Sequence, residues 1–281
     1  MTANPVLLAV LSMVSTGTSD LLYKRARAKG AAPDSFLPVQ AVFFNATSLA
    51  FVAYSGRLEI PGRTILFGAG CGSLLYLSTY LFLKSLGEGR ASVNVPIFRL
   101  SFIPTAAMAF LFLHEAITLG KALAICFAAL SILSLSEGLR AQSGRGRTSL
   151  HLILAMILYS LFGLLYKVAI AMGSTPTGVL VAQGATFITC AFMVAIKRGA
   201  LGIHRSVMAH APFCGVLLSS AFLLLLESLK YGDISVSFSI VQLSFVFTSA
   251  LAILIWRENV KPLNILGIVS AASSVAFFAY L

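Results

Sequence analysis

Apolar stretches follow one another along the whole chain, parted by short clusters of Gly, Pro or charge. They fall at 5–24, 35–56, 64–86, 91–113 and 118–137, and again at 149–171, 176–197, 207–229, 234–256 and 262–281. About 20 apolar residues of helix suffice to cross the hydrocarbon layer of a bilayer. A helix also satisfies its own backbone polar groups there. The stretches do not alternate as the strands of a membrane barrel must. The pattern predicts an all-α integral membrane protein with ten transmembrane helices.

The second five stretches repeat the first. Shifted by 143 residues, Leu21-Leu22-Tyr23-Lys24 falls on Leu164-Leu165-Tyr166-Lys167, and Gly30, Pro33 and Gln40 fall on Gly173, Pro176 and Gln183. Between Gly72 and Glu115, 19 of 44 positions are identical to their partners between Gly215 and Glu258. That is far above the roughly one in ten that apolar composition alone would give. The chain divides into a five-helix repeat over 1–138, a basic linker over 139–148 and a second repeat over 149–281. Five is odd, so the second repeat starts on the opposite side of the membrane and the halves are inverted. Inverted repeats around a midplane site are the architecture of secondary transporters.

Composition narrows the picture further. Of 281 residues, 58% are hydrophobic and 10% charged, with a mean hydropathy of +0.94, which leaves no room for a soluble catalytic domain. The excess of 20 Lys and Arg over 9 Asp and Glu reads as loop charge that sets orientation, not as a nucleic-acid footprint. Fourteen of the basic residues follow helices 1, 3, 5, 7 and 9 and five lie on the other side. The positive-inside rule then places both termini outside an inner or plasma membrane. The N-terminus lacks the basic region of a signal peptide and is expected to be a retained helix. Cys71, Cys126, Cys190 and Cys214 lie unpaired in apolar runs, and neither a disulfide framework nor a metal site is expected.

The Lys that closes the first helix of each repeat, the links SLGEGRAS and SLKYGDIS, and the endings FLFLHEAIT and ILIWRENVK occur in the same order twice. With them the chain resembles the drug/metabolite transporter superfamily, in its ten-helix EamA type, over nearly its whole length. The resemblance implies a secondary carrier, often an exporter of amino acids or other small metabolites, driven by protons or by exchange. It implies no cofactor and does not name a substrate.

Two ionisable residues fall too deep to snorkel to the headgroups. Asp20 ends the polar run Ser15-Thr16-Gly17-Thr18-Ser19 of helix 1, and Arg99 lies in helix 4 between Phe98 and Leu100. At 1.5 Å per residue both sit about 4–7 Å off the midplane on the same side. A charge at that depth costs at least about 2.5 kcal/mol and needs a cavity or a partner. The two are expected to face one cavity and to pair when it is empty. In the functional reading Arg99 binds a carboxylate or phosphate of the substrate, and Asp20 takes up a proton as the substrate displaces it. In the structural reading they are a static ion pair. The repeat places Gln242 opposite Arg99 and Gly163 opposite Asp20, so the site is asymmetric and Gln242 is its neutral counterpart.

Asn94 and Ser237, paired by the repeat, and Tyr76 and Tyr80 are further candidates for binding. Pro96 and Pro104 each remove a hydrogen bond from helix 4 and are expected to kink or open it. Lys24 and Lys167 either oppose the dipoles of the helices they end or gate opposite faces of the cavity. Glu115 and Glu258 suit the N-termini of helices 5 and 10. Gly68, Gly70 and Gly72 form a face for close helix packing. A membrane enzyme is disfavoured, since the four His lie in loops or at helix ends and no HExxH or GxSxG motif occurs. The rivals that remain are a multidrug or cation exporter and a non-transporting or lipid-flippase-like subunit. The expected partners are a small-molecule substrate and the bilayer, with a monomer as the functional unit.

Overall fold

A computed structural model describes residues 4–55, 60–88, 91–135, 146–200, 204–248 and 262–279. Among them every element is helical: α1 (Pro5–Ala28), α2 (Pro33–Ser55), α3 (Gly62–Glu88), α4 (Ala91–Arg99), α5 (Phe102–Phe112), α6 (Leu119–Leu135), α7 (Gly146–Ala171), α8 (Pro176–Lys197), α9 (Arg205–Met208), α10 (Ala211–Tyr231), α11 (Ile234–Gln242), α12 (residues 244–248) and α13 (Pro262–Ala279). Most of the linker over 139–148, the second half of the stretch at 234–256 and Glu258 lie outside the described residues.

Local chemistry sets the helix ends. The Asn4 side chain accepts from the amides of Val6 and Leu7 ahead of Pro5, and the Thr175 hydroxyl accepts from Gly178 ahead of Pro176. Both pair a capping side chain with a proline whose missing N–H costs nothing at the first helical position. Gly30 and Gly173 close α1 and α7 with φ of 80° and 81°, a left-handed turn that glycine makes without strain.

Six helical segments are long and apolar enough to cross a membrane: Pro5–Ala28, Pro33–Tyr54, Gly62–Ser85, Leu150–Ala171, Pro176–Lys197 and Arg205–Tyr231. Four shorter apolar segments, Ile97–Phe112, Leu119–Ser134, Ile234–Thr248 and Ile265–Phe278, occupy the other four apolar stretches. Leucines such as Leu66, Leu111 and Leu119 stand on the outside at 70–77% exposure, where lipid rather than water would cover them.

The halves interlock. The most extensive packing joins α3 to α8, α1 to α10, α3 to α7, α6 to α13, α2 to α10 and α2 to α8, and every one of these pairs crosses from one repeat to the other. A two-fold relation that exchanges the halves turns α1·α10 into α7·α3 and α2·α10 into α8·α3, so the pairing is symmetric. Close glycine crossings follow the same rule. A Cβ on Gly72 would lie 2.5 Å from the carbonyl oxygen of Gln183, and one on Gly215 would lie 2.5 Å from that of Gln40. Gly68 and Gly70 pack as closely, against Ala182 and Leu165, as the small-residue face predicts. Serine hydroxyls reach carbonyls across the interface in matched pairs. Ser12 donates to Ala221 at 2.7 Å and Ser78 to Ala155 at 2.8 Å, while Ser131 donates to Gly267 at 2.6 Å and Ser274 to Ala124 at 2.8 Å. Small residues and hydroxyls are what bind helices in lipid, where apolar surface gives no driving force.

Candidate functional site

The site forms where two helices break. The stretch at 91–113 was expected to run as one span; it divides at Leu100 and Ser101 into α4 and α5. Around the break the backbone tightens to i→i+3 bonds, Leu100 to Ile97 and Ile103 to Leu100. The stretch at 234–256 does the same at Leu243, with Leu243 bonded to Ile240 and Val246 to Leu243. Pro96 and Pro104 have no proline at their counterparts Ser239 and Phe247. The break is therefore common to both repeats and is not caused by the prolines alone. At the first break the Ser101 carbonyl accepts from the hydroxyls of Ser160 and Thr105, both at 2.8 Å.

Arg99 ends α4 at this break and is 3% exposed. Its Nη2 donates to both carboxylate oxygens of Asp20, at 2.6 and 2.5 Å, and its Nη1 donates to Gln242 Oε1 at 2.9 Å. Gln242 Nε2 passes the chain on to the Ser101 hydroxyl. Arg99 and Gln242 are equivalent positions 143 residues apart, and equivalent side chains touch only beside a two-fold axis, so the network sits at the centre of the molecule. α1 presents Asp20 to it because Gly17 lets the helix lie against α12: a Cβ there would lie 2.8 Å from both Phe247 and the Ser244 carbonyl. The mirror position cannot hold a carboxylate, since a Cβ on Gly163 would lie 2.7 Å from the ring of Phe238.

A narrow cavity opens on this pair. Its walls include four equivalent couples, Thr16 and Tyr159, Phe44 and Phe187, Leu75 and Leu218, Thr79 and Phe222. It then extends toward one face only, past Tyr23, Gln40, Phe82 and Phe98. Their counterparts Tyr166, Gln183, Leu225 and Val241 are at most 1% exposed and do not line it. The space leaves about 40 Å³ for the centres of water-sized molecules, room for a few waters and too little for a metabolite. Two buried polar atoms on its wall, Arg99 Nε and Thr16 Oγ1, have no hydrogen-bond partner.

The other sequence candidates lie elsewhere. Asn94 Nδ2 donates to the Ser85 carbonyl at 2.7 Å and the Ser237 hydroxyl meets that of Ser228 at 2.7 Å, so this matched pair ties α4 to α3 and α11 to α10 instead of facing the cavity. Tyr76 stacks on Tyr80 and meets the edge of Phe187, whereas Tyr80 lies under the Arg198 guanidinium at 5.3 Å. That places both tyrosines off the cavity, at the rim where Arg198 pairs with Asp34 at 3.3 Å. Lys167 does not serve the end of its own helix: its Nζ donates to the carbonyls of Leu229 and Gly232 at 3.0 and 2.6 Å, closing α10. Lys24 is exposed at its helix end.

Glu115 likewise serves another helix than expected. It accepts from the amides of Ile234 and Ser235 and from the Ser235 hydroxyl, capping α11 and not α6. Three contacts are not apparent from the sequence. Tyr23 donates to Gln40, and Tyr166 to Gln183; the repeat had marked all four residues without showing that they meet. Lys121 pairs with Asp233, and nothing in the sequence brings those two together. Among the described residues no cluster of His, Cys, Asp and Glu could hold a metal.

A model of the EamA-like transporter family matches the chain twice, over residues 3–136 and 147–280. No curated protein matches it in sequence. A solved crystal structure of a protein superposes with a TM-score of 0.79 at 13% identity, over 98% of this chain and 96% of that one; at that identity the likeness is one of fold.

Proposed function

We propose that this chain, which belongs to the EamA-like transporter family, is an alternating-access carrier for a small metabolite bearing a carboxylate. Amino acids and other organic anions are the class meant, moved outward across the inner or plasma membrane. The observation that carries this reading is the buried Asp20–Arg99 pair at the head of a central cavity. A guanidinium presents planar, paired donors that match a carboxylate, and the unpartnered Nε edge of Arg99 is where a substrate would begin to compete with Asp20. Gln242 keeps hold of Nη1 and so keeps the guanidinium on the axis during that exchange. A displaced Asp20 carboxylate would be left buried without its partner, at high cost, and taking up a proton removes that cost. This couples the cargo to protons.

In this reading ten helices cross the bilayer as two inverted repeats, the first over 1–138 and the second over 149–281. The face rich in Lys and Arg is cytoplasmic and both termini are outside. One chain suffices, because the interlocked repeats build the whole cavity between them.

The test is thermal unfolding of purified protein against amino acids, organic acids, nucleobases and lipophilic cations, with Arg99→Ala alongside. A ligand at a hundred times its dissociation constant adds about 2.7 kcal/mol of stability. The expected result is stabilisation by a carboxylate compound that Arg99→Ala loses. Stabilisation by cations alone, unchanged in Arg99→Ala, refutes the carboxylate reading, makes Arg99 structural and brings the cation-exporter reading to the front.

A further inference from the structure

The two faces of the molecule are held differently. We infer that the ion pair between Lys121 and Asp233 is a latch that keeps one face shut, and that it must break for the cavity to open there. The face in question is the one where α1 begins and where α10 turns into α11. The opposite face, where Asp34 starts α2 and Arg198 ends α8, is the one toward which the cavity extends.

On the shut face the turn between α10 and α11 is gripped from three sides. Lys167 holds its carbonyls at Leu229 and Gly232. Glu115 holds its amides at Ile234 and Ser235. Lys121, 6% exposed, pairs with Asp233 and also donates to the Ala116 carbonyl at 3.1 Å. The N-terminus itself is drawn in, since the Ser228 hydroxyl donates to the Pro5 carbonyl at 2.7 Å.

The 143-residue shift shows which of these grips is particular to this face. Lys167 has Lys24 as its counterpart and Glu115 has Glu258, so both repeats carry those residues. Lys121 and Asp233 correspond to Asn264 and Arg90, which cannot form an ion pair. The face with the pair is closed, with Tyr166 and Gln183 at 0% exposure, while the face without it is where Tyr23 and Gln40 line the cavity. Two similar halves exchange conformations at little cost. The other face has a pair of its own, Asp34–Arg198, but at 3.3 Å and with the Arg198 side chain 53% exposed it is the weaker of the two, so the pair at the buried Lys121 biases the resting state. Asp233 precedes α11, which packs chiefly on α1 and α5, whereas Lys121 belongs to α6, which packs chiefly on α13 and meets α11 only lightly. Opening the shut face draws these two sets of helices apart and separates the pair.

The latch rests on the alternating-access reading but not on any cargo, and its test needs none. In protein whose four cysteines are replaced by Ala, Ser237→Cys places a thiol at a position 1% exposed on the shut face. Asn94→Cys places one at the equivalent position on the other face, likewise 1% exposed, so that each thiol reports excursions that open its own face. Both are reacted with a maleimide in lipid nanodiscs, where reagent reaches both faces. Lys121→Gln and Asp233→Asn are each expected to raise the labelling rate at 237 about two- to fivefold, the range for losing a partly exposed pair, and to lower the rate at 94. The exchanged pair Lys121→Asp with Asp233→Lys is expected to restore both rates. Unchanged labelling at 237 in the single variants overturns the inference. So does faster labelling at both positions, which would mean general loosening, and so does failure of the exchanged pair to restore the rates.

Discussion

Removing both members of the central ion pair should cost no more than removing either one. The Arg99 side chain is 4% exposed and that of Asp20 14%, with 2.5 Å between Nη2 and Oδ2. Breaking such a buried pair from one side leaves a desolvated charge and costs about 3–5 kcal/mol. A few waters can enter the adjoining cavity, so the low end applies, about 3 kcal/mol for Asp20→Asn. Arg99→Met should cost somewhat less, about 2 kcal/mol, because the abandoned carboxylate can take a proton, an escape the guanidinium lacks. If the two losses were independent the double variant would lose about 5 kcal/mol. It should lose only about 2 kcal/mol, a coupling of about 3 kcal/mol, since it buries no unpaired charge. The assay is thermal unfolding of the four proteins in nanodiscs at neutral pH, where about 2–4 °C accompanies each kcal/mol. A double variant whose loss equals the sum within about 0.5 kcal/mol would refute the argument and make the two charges independent.

Three other outcomes follow from the geometry. Gly72→Ala and Gly215→Ala should destabilise by similar amounts, about 1–3 kcal/mol, because each added Cβ meets a backbone carbonyl 2.5 Å away; melting temperatures that differ widely would deny the symmetry of the crossing. Tyr166→Phe should cost more than Tyr23→Phe, within about 1–3 kcal/mol, because Gln183 is sealed at 0% exposure while Gln40 lines the cavity, where water can replace the hydroxyl; unfolding of the two variants side by side decides it. Glu115→Gln should speed amide exchange at Ile234 and Ser235 about two- to fivefold, because a full charge at the start of α11 is worth about 0.3–1 kcal/mol; exchange measured by mass spectrometry at those amides is the check.

The Arg99–Gln242 contact carries a lesson about duplicated proteins. A symmetric site with arginine at both positions would bring two guanidiniums together in the membrane, a repulsion no single carboxylate could offset. One arginine and one glutamine avoid this, and Gly163 with Phe238 over it fills the place where a second carboxylate would otherwise stand. The asymmetry that the 143-residue shift displays at Asp20 and Arg99 thus leaves one ion pair at the axis where a symmetric site would crowd two.

Much of this was legible in the chain. Apolar stretches of spanning length dictate membrane helices because hydrocarbon leaves the backbone no other partner. The internal match announces the two halves, and the depth of Asp20 and Arg99 places them level, since helical rise is fixed at 1.5 Å per residue. What each side chain touches across helices was not legible, because periodicity fixes a residue's height along its own helix but not the neighbour that helix packs against. The dipole reading ties Lys167 and Glu115 to their own helices, yet they serve α10 and α11. Asn94 and Ser237 looked like site residues for being polar and paired, and they fasten helix turns. Tyr76 and Tyr80 lie within a span whose other face, with Leu75, Thr79 and Phe82, lines the cavity, and a turn of about 100° separates the two faces. The membrane helices, the duplication and the two buried charges are written in the chain, because these follow from solvent and repetition. Tertiary structure alone decided that the repeats interlock, that helices 4 and 9 break beside Arg99 and Gln242, and that the cavity leans to one face, because each depends on which helices meet.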